Sequence, residues 1–265
     1  MHPMLTIAVQ AARAAGRVIL QHMDRLDTLD IQEKSKNDFV SEVDHMAEQA
    51  IIGTIRRLYP DHGFLAEESG VTKTDGDYVW IIDPLDGTNN FLRGIPQFSV
   101  SIALRERGRL AQAVIYDPAK EELFTAGRGN GAQLNGRRLR VSSRRHLSGA
   151  LFATGFPFRH PRLREPHMTM LTRLVEETGD IRRQASAALD LAYVAAGRLD
   201  GFVELALNEW DIAAGVLLVQ EAGGLVGDPD GGHTHLESGH VLAANAKLFA
   251  AAAKKLGGGY AALRR

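Results

Sequence analysis

The sequence predicts an α/β fold built of alternating layers of helices and sheets. Two segments with helical periodicity open the chain, short apolar strands follow from residue 78, and strands alternate with helices in the second half. This order of elements is typical of layered α/β and α+β proteins. The 265 residues are 45% hydrophobic and 24% charged, as in an average globular protein, which excludes disorder, collagen and coiled coil. We expect a single domain over residues 1–265, with an α+β half over residues 1–145 and an α/β half over residues 146–265.

The first predicted element is an amphipathic surface helix over residues 4–23. This stretch lacks a basic leading region, and Arg13 and Arg17 interrupt its apolar residues, so it is interpreted as neither a signal peptide nor a membrane span. The chain is therefore expected in the cytoplasm. The apolar residues at helical spacing are Leu5, Ala8, Val9, Ala12, Ala15, Val18 and Ile19.

The remaining elements follow from periodicity and turn residues. An irregular polar stretch leads to a second helix over residues 43–59, which Pro60 ends, and both helices are expected to precede any strong strand. Glycine and asparagine at 129–131 and 135–136 predict hairpin turns. The expected strands cover residues 79–82, 99–104, 110–116, 121–125, 150–154, 201–205 and 241–244, and further helices follow Pro166 and cover residues 187–196 and 212–222.

Charge and cysteine content exclude several classes of function. The chain carries 31 Lys and Arg against 32 Asp and Glu, a net charge of -1, so no overall field attracts nucleic acid or an anionic membrane. The absence of cysteine excludes disulfides, thiolate nucleophiles and cysteine-ligated metals, so any metal must bind oxygen or imidazole. The basic residues 137–145 are interpreted as a solvated turn between the two halves.

The most informative segment spans residues 80–91, with the sequence Trp-Ile-Ile-Asp-Pro-Leu-Asp-Gly-Thr-Asn-Asn-Phe. An apolar strand ends at Asp83, a proline restricts the backbone, and Asp86 follows. Two carboxylates about 4 Å apart repel by roughly 4 kcal/mol at an effective dielectric of about 20, so the pair needs a shared proton or a cation, and hard oxygen ligands favour Mg²⁺. The amides of Gly87 and Thr88 would open a helix and favour an anion such as phosphate. The alternative is that both acids belong to ordinary turn dipeptides.

Three further acids are candidates to complete this site, and each has a structural alternative. Glu67 follows the apolar run 64–66, either at a strand end or in a solvated turn. Asp211 precedes the apolar run 212–217, and Asp44 stands at the start of the second helix, so helix capping alone explains both.

In order and spacing these residues resemble the inositol monophosphatase family of Mg²⁺-dependent, lithium-sensitive phosphatases. Residues 80–91 are similar to the family motif of a strand followed by Asp-Pro-Ile/Leu-Asp-Gly-Thr, and residues 210–215 are similar to its Trp-Asp-x-Ala-Ala-Gly motif. The similarity extends from about Lys34 to Asn245, and residues 187–204 are most similar to the bacterial SuhB-type branch. The resemblance implies the αβαβα sandwich of the sugar phosphatases.

The resemblance also implies the metal ligands and the reaction. Glu67, Asp83 and the backbone carbonyl of Leu85 would hold a first Mg²⁺ ion. Asp83, Asp86 and Asp211 would hold a second, and a third, weaker site would use Glu67. A metal-activated water would attack the phosphorus of a phosphate monoester in line, without a phosphoenzyme, and Li⁺ is expected to inhibit.

The same resemblance implies the catalytic and substrate-binding residues. The Thr88 hydroxyl and Asp44 would orient and deprotonate the attacking water, with Glu67 assisting. Ala185 departs from the family, which usually has glycine there, and its methyl group would narrow the polyol site or shift the backbone. Glu204 without the resemblance is equally well a surface ion pair. The residues implied for the substrate are Leu85, Asp86, Gly87, Thr88, Arg182, Ala185, Ser186, Glu204 and Asp211.

The expected substrate is myo-inositol monophosphate, and two alternatives stay open. The first is a related phosphatase acting on 3′-phosphoadenosine 5′-phosphate, fructose 1,6-bisphosphate or histidinol phosphate, because pocket loops decide specificity. The second is a regulatory partner of the RNA polymerase antitermination complex, a role that the SuhB-type branch implies. The family is commonly dimeric, so a homodimer is expected.

Overall fold

The computed structural model describes residues 2–23, 25–26, 31–35, 38–73 and 76–260. Its helices are α1 (Pro3–Met23), α2 (Glu42–Arg56), α3 (Thr88–Phe91), α4 (Arg164–Val175), α5 (Ala187–Ala195), α6 (Glu209–Glu221), α7 (His235–Ser238) and α8 (Ala246–Tyr260). Its strands are β1 (Ile31–Ser35), β2 (Asp38–Ser41), β3 (Gly63–Ala66), β4 (Gly70–Thr72), β5 (Tyr78–Asp86), β6 (Ser99–Glu106), β7 (Arg109–Asp117), β8 (Glu122–Gly127), β9 (Gly131–Leu134), β10 (Arg137–Arg138), β11 (Leu151–Thr154), β12 (Asp180–Arg182), β13 (Gly201–Glu204), β14 (Leu225–Gly227) and β15 (Val241–Ala244).

The described strands form two sheets and a separate hairpin. The first sheet has the order β10-β9-β8-β7-β6-β5-β3-β4, and the second has the order β12-β11-β13-β15-β14. In the first sheet β3 runs parallel to β5, and in the second β11 runs parallel to both β12 and β13. The carboxyl ends of these parallel strands are where α/β proteins place their sites.

The two sheets and the helices stack in five layers. Alternate residues of β5 enter different cores: Trp80 and Ile82 pack with α1 and α2, whereas Ile81 packs with α5 and α6. Helices α5 and α6 lie between the two sheets, which is why α6 is buried continuously from Ile212 to Val219. Helices α4 and α8 pack on the opposite face of the second sheet, with Phe152 and other residues in the third core. The predicted αβαβα sandwich is confirmed.

Several expected elements differ in detail. The stretch between the first two helices was expected to be irregular, but its backbone contains the antiparallel hairpin β1–β2, so a strand pair precedes α2. Helix α2 ends at Arg56, three residues before the expected end, and α6 begins at Glu209 because Asn208 caps it. The predicted hairpin turns lie between β8 and β9 and between β9 and β10. None of the helices in the described part of the chain combines the length and apolar character that a membrane span requires.

Candidate functional site

A cleft of about 430 Å³ lies where the carboxyl ends of the parallel strands in both sheets meet. The acids at the ends of β3 and β5 line one side. Gly155, which follows β11, and Glu204, the last residue of β13, line another. The first turns of α5 and α6 contribute Ala187 and Asp211. Because helix N-termini carry partial positive charge, the cleft suits an anionic ligand.

An irregularity in β5 brings Asp83 and Asp86 into the same cleft. They are three positions apart, so regular alternation would place them on opposite faces of the sheet. The pairing with β6 shifts between them, since Asp83 lies opposite Ser101 and Asp86 opposite Ser99. Pro84 has no amide for the ladder, which favours this bulge.

Hydrogen bonds fix one carboxyl oxygen of each of these aspartates. Oδ1 of Asp83 accepts from the Leu85 amide at 3.0 Å. Oδ2 of Asp86 accepts from the Ser186 hydroxyl and from the Ala188 amide, both at 2.7 Å. Asp86 therefore joins the first sheet to the start of α5.

Asp44 and Asp211 both take part in helix capping, and this is compatible with a role at the site. Asp211 lines the cleft, whereas Asp44 is buried behind it and reaches it through the Thr88 hydroxyl. Asp44 is the third residue of α2, and its Oδ2 accepts from the Ser41 amide at 2.8 Å and the Ser41 hydroxyl at 2.7 Å. Asp211 is the third residue of α6, and its Oδ2 accepts from the Asn208 amide at 2.7 Å. Each capping bond uses one oxygen and holds the carboxylate in a defined orientation.

Glu67 reaches the cleft from the end of β3. Its amide donates to the Ile82 carbonyl at 3.1 Å, which continues the parallel pairing of β3 with β5. The turn beyond it is fixed by Glu48 of α2, whose carboxylate accepts from the amides of Glu68 at 2.8 Å and Ser69 at 2.9 Å. The sequence analysis missed Glu48, although an acid four residues after Asp44, on the buried face of α2, is a usable signal.

Burial and mutual repulsion raise the pKa values of the clustered acids. Burial raises the pKa of Asp83 well above its usual value, and the charges of Glu67, Asp86 and Asp211 raise it further. Burial raises the pKa of Asp86 to about 6. Burial, with the charge of Asp86, raises that of Asp211 to about 7. Such a cluster is relieved either by protons or by cations.

The acids fit a divalent cation chemically, although their present side-chain positions are not those of a closed coordination sphere. Carboxylates and a backbone carbonyl are the ligands that Mg²⁺ prefers. In the part of the chain that the structure describes, no three histidine or acidic side chains are arranged to hold a metal ion as they stand.

Thr88 opens the short helix α3 beside these acids. Its hydroxyl lies 2.9 Å from both Asp44 Oδ1 and the Leu85 carbonyl oxygen, and it can donate to only one of them at a time. Burial raises the pKa of Asp44, and the bonds from Ser41 and Thr88 oppose that rise. Gly87, which precedes Thr88, has φ 96°, and a Cβ there would lie 2.9 Å from the Gln97 carbonyl oxygen. Only glycine fits this turn.

The sequence and the fold both have counterparts among known proteins. Residues 1–259 match the sequence model of the inositol monophosphatase family. The chain belongs to this family. The Nus factor SuhB of Pseudomonas aeruginosa is 54% identical to it over 256 residues, which are 95% of this chain and 94% of that protein.

Solved structures agree with that assignment to the inositol monophosphatase family. The extragenic suppressor protein suhB of Bartonella henselae matches with a TM-score of 0.93 and 43% identity, covering 96% of this chain and 98% of that one. The inositol monophosphatase of Anabaena matches with a TM-score of 0.83 and 37% identity, covering 96% and 94%. The chain therefore has the phosphatase fold of its family over nearly its whole length.

In this member of the inositol monophosphatase family, most residues predicted to contact substrate line the cleft, but Arg182 does not. Arg182 is exposed at the end of β12 and pairs with Asp180. The next residue, Arg183, which follows the end of β12, lines the cleft instead. Ala185 lines the cleft with φ 64°, a left-handed conformation that glycine adopts more readily than alanine.

The sequence analysis also missed Asp190 of α5. Its carboxyl is buried, and burial raises its pKa well above the usual value. Oδ1 of Asp190 accepts from the Gln184 side chain at 2.7 Å, which ties the segment before α5 to the helix. The pKa of Glu204 is raised to about 8, chiefly by burial and in addition by the charge of Asp190. An acid within an otherwise apolar helical run was the available signal.

A second cavity, of about 710 Å³, is lined by residues 142–146, 148–149, 151, 197–198 and 200. Its Asp200 carboxylate accepts from the Ser142 hydroxyl, from Arg144 Nε at 3.1 Å and from the Leu151 amide at 2.9 Å. Arg144 and Arg145 are exposed at its rim. This cavity shares no lining residue with the acidic cleft among the residues described.

Proposed function

We propose that this protein is a Mg²⁺-dependent phosphatase that hydrolyses phosphate monoesters, preferentially myo-inositol monophosphate. The observation that carries the proposal is the cluster of the buried Asp83 with the half-buried Glu67, Asp86 and Asp211 in one cleft, beside the Thr88 hydroxyl. Acids that raise one another's pKa at the N-terminal ends of helices are suited to a site that binds cations and a phosphate together.

We infer that Glu67, Asp83 and the Leu85 carbonyl hold one Mg²⁺, and that Asp83, Asp86 and Asp211 hold another. A third ion would use Glu67. When bound, the ions would neutralise the carboxylates, lower the pKa of water and stabilise the leaving alkoxide. Li⁺ is expected to inhibit by competing for this site.

Thr88 and Asp44 are assigned to proton transfer from the attacking water. The Thr88 hydroxyl can donate to Asp44 Oδ1 or to the Leu85 carbonyl, and a cation held by that carbonyl would leave Asp44 Oδ1 as the acceptor. The Thr88 oxygen then has its lone pairs available to accept a proton from water while its own proton moves toward Asp44. The raised pKa of Asp44 favours that direction of transfer.

The phosphate and the hydroxyls of its ester are assigned to different parts of the cleft. The amides of Gly87 and Thr88 would hold the phosphate at the start of α3. Asp86, Ala185, Ser186 and Glu204 line the wall where the leaving group would lie, and their polar atoms can accept or donate hydrogen bonds to a polyol. This wall supports a polyhydroxylated leaving group.

The test is phosphate release from inositol 1-phosphate, 3′-phosphoadenosine 5′-phosphate, fructose 1,6-bisphosphate and histidinol phosphate, with Mg²⁺ or EDTA. Wild type should hydrolyse the inositol ester in Mg²⁺, and Asp83→Asn should not. Preference for another ester would retain the phosphatase and overturn the inositol assignment. No turnover of any ester by folded, Mg²⁺-loaded protein would overturn the catalytic proposal.

A second candidate function is a role in transcription antitermination, because the Pseudomonas aeruginosa relative is named a Nus factor. The test is capture of elongation-complex proteins by the immobilised chain, with Asp83→Asn as a matched bait. Equal capture by both baits would support a partner role independent of the cleft.

We further propose that the protein is a cytoplasmic homodimer, as the family resemblance implies. Sedimentation equilibrium over a range of concentrations measures the assembly state directly. A mass of one chain at all concentrations would exclude the dimer.

A further inference from the structure

Gly155 lies against the carboxyl group of Glu204. Strands β11 and β13 run parallel, with Thr154 opposite Val203, so the next residue of each strand, Gly155 and Glu204, are neighbours at the carboxyl ends. A Cβ on Gly155 would lie 2.0 Å from Glu204 Oε1, 2.2 Å from Cδ and 2.4 Å from Oε2. All three are far inside van der Waals contact.

Space, and not backbone conformation, accounts for glycine at this position. The φ of Gly155 does not fall in the left-handed region, so any residue could adopt its backbone. The atoms that would collide with a side chain belong to the Glu204 carboxyl itself. The position of the Glu204 carboxyl therefore leaves room only for glycine at residue 155.

The backbone around Glu204 is held on both sides, so the side chain cannot be carried away by a shift of its strand. The Thr154 hydroxyl donates to the Val203 carbonyl at 2.7 Å. Beyond Glu204 the chain turns at Ala206, with φ 61°, and the Ala206 amide donates to His240 Nδ1 at 3.0 Å. A side chain at position 155 would have to displace the carboxyl alone.

We propose that Gly155 is a specificity-determining residue, which gives the Glu204 carboxyl its place in the cleft wall and so sets recognition of a polyhydroxylated leaving group. This inference rests on the proposed phosphatase function. Gly155 has no side chain that could take part in the reaction. The three atoms nearest to an added Cβ all belong to Glu204, and none belongs to Asp83, Asp211 or Thr88. A substitution there acts on the leaving-group wall through Glu204, and not on the chemistry at phosphorus.

The proposal predicts a selective defect in Gly155→Ala. The variant should lower kcat/KM for inositol 1-phosphate by about tenfold, the effect of losing one hydrogen bond to the Glu204 carboxyl. Turnover of p-nitrophenyl phosphate, whose leaving group has no polyol hydroxyls, should change by less than about twofold, because the substitution removes no interaction with that ester. Gly53→Ala is the matched control, because Gly53 is exposed on α2 and a Cβ there meets no atom within 4 Å.

A double-mutant cycle separates this mechanism from a general packing defect. In a Glu204→Ala background the obstructing carboxyl is absent, so adding Gly155→Ala should have no further effect on the inositol ester. Thermal unfolding of wild type, the two single variants and the double variant supplies a readout that does not depend on activity. If Gly155→Ala alone folds poorly, Glu204→Ala should restore its folding.

The outcomes distinguish the inference from the proposed function. Equal losses for both esters, or a full effect of Gly155→Ala in the Glu204→Ala background, would overturn the role of Gly155 while leaving the phosphatase intact. Failure of Glu204→Ala to restore folding would also overturn it. Absence of turnover of either ester by wild type would overturn the phosphatase instead, and unfolding would still report the coupling of the two residues.

Discussion

The Thr88 hydroxyl lies 2.9 Å from Asp44 Oδ1, although 44 residues separate the two in sequence. Asp44 makes this contact with one oxygen and caps α2 with the other. The helix cap thus orients the carboxylate toward the threonine. A residue that a sequence pattern assigns to capping can therefore have a second, chemical role at no cost to the helix.

Asp44→Asn should retain the helix cap and lose activity. With the amide oxygen on Ser41, the new amide nitrogen would donate to Thr88 and block the lone pair that accepts a proton. We expect kcat to fall by about a hundredfold or more, the usual contribution of a general base, with KM little changed. Thr54→Ala is the control, because its hydroxyl bonds only the Ala50 carbonyl on the same helix. A loss confined to KM would contradict the assignment of Asp44.

Removal of Mg²⁺ should make the protein less stable as the pH rises. The pKa of Asp86 is raised to about 6 and that of Asp211 to about 7, so between about pH 4 and 7 the folded state binds more protons than the unfolded state. The free energy of unfolding in EDTA therefore falls over that range, and Mg²⁺ should reverse the fall. Denaturant unfolding at pH 5 and pH 8, with EDTA or Mg²⁺, measures both effects.

Asp211→Asn provides the matched test of this charge effect. The amide oxygen can still accept from the Asn208 amide, so the cap of α6 is preserved while one buried charge is removed. We expect the metal-free variant to exceed wild type in stability at pH 8 and to gain less from Mg²⁺. Asp180→Asn, on an exposed acid, should behave like wild type. A wild-type Mg²⁺ response in Asp211→Asn would contradict its role as a ligand.

Much of the layering could be predicted from sequence because long periodic segments identify their own type. The continuous apolar run of β5 indicates a strand buried on both faces, the helical spacing in α1 indicates a helix with one buried face, and both elements lie where expected. The paired acids of the cleft could be predicted from their position directly after that apolar run. The bulge at Pro84 that brings them together follows from the pairing with β6, which is not visible in a local pattern.

The remaining features depend on contacts between distant segments. The sequence analysis placed Arg182 in the cleft, one residue before the arginine that lines it. Because β12 has only three residues, its sequence pattern does not show which side chains face the cleft. Asp190 meets Glu204 only after β13 returns beside β11. The proximity of Gly155 to Glu204 has the same origin. Pairs of this kind require the register of the second sheet.

Asn90 should couple the two halves of the cleft. Its Nδ2 donates to the Gln97 carbonyl at 2.7 Å and to the Gln184 carbonyl at 2.8 Å, and it is buried. Asn90→Ala would leave both acceptors unpaired, at a cost of about 2 kcal/mol in the free energy of unfolding. Asn90→Asp should cost more, because a carboxylate would face two carbonyl oxygens. Denaturant unfolding measures both.

The control for Asn90 is its neighbour Asn89, which is exposed and accepts only from Arg93 Nε, at 3.0 Å. Asn89→Ala should change stability by no more than about 0.5 kcal/mol. If Asn90→Ala matched that small change, the hydrogen bonds between the halves would contribute no net stability.

Replacing His167 should stabilise the protein, and most strongly in acid. His167 lies buried in α4 against Phe156, and neither ring nitrogen has a hydrogen-bond partner among the described residues. Burial lowers the pKa of His167 below its usual 6.5, so the unfolded state binds the proton first, and stability is lost as the pH falls below about 6.5. His167→Met removes the unpaired nitrogens, which should add about 1 kcal/mol to the free energy of unfolding at pH 8 and more at pH 5.

Denaturant unfolding of the His167→Met variant and of wild type at both pH values measures the difference, with the exposed His146→Gln as the control. A gain that is equal at the two pH values would show that His167 has the same pKa in the folded and unfolded states, and a loss would show that its packing against Phe156 outweighs the missing hydrogen bonds.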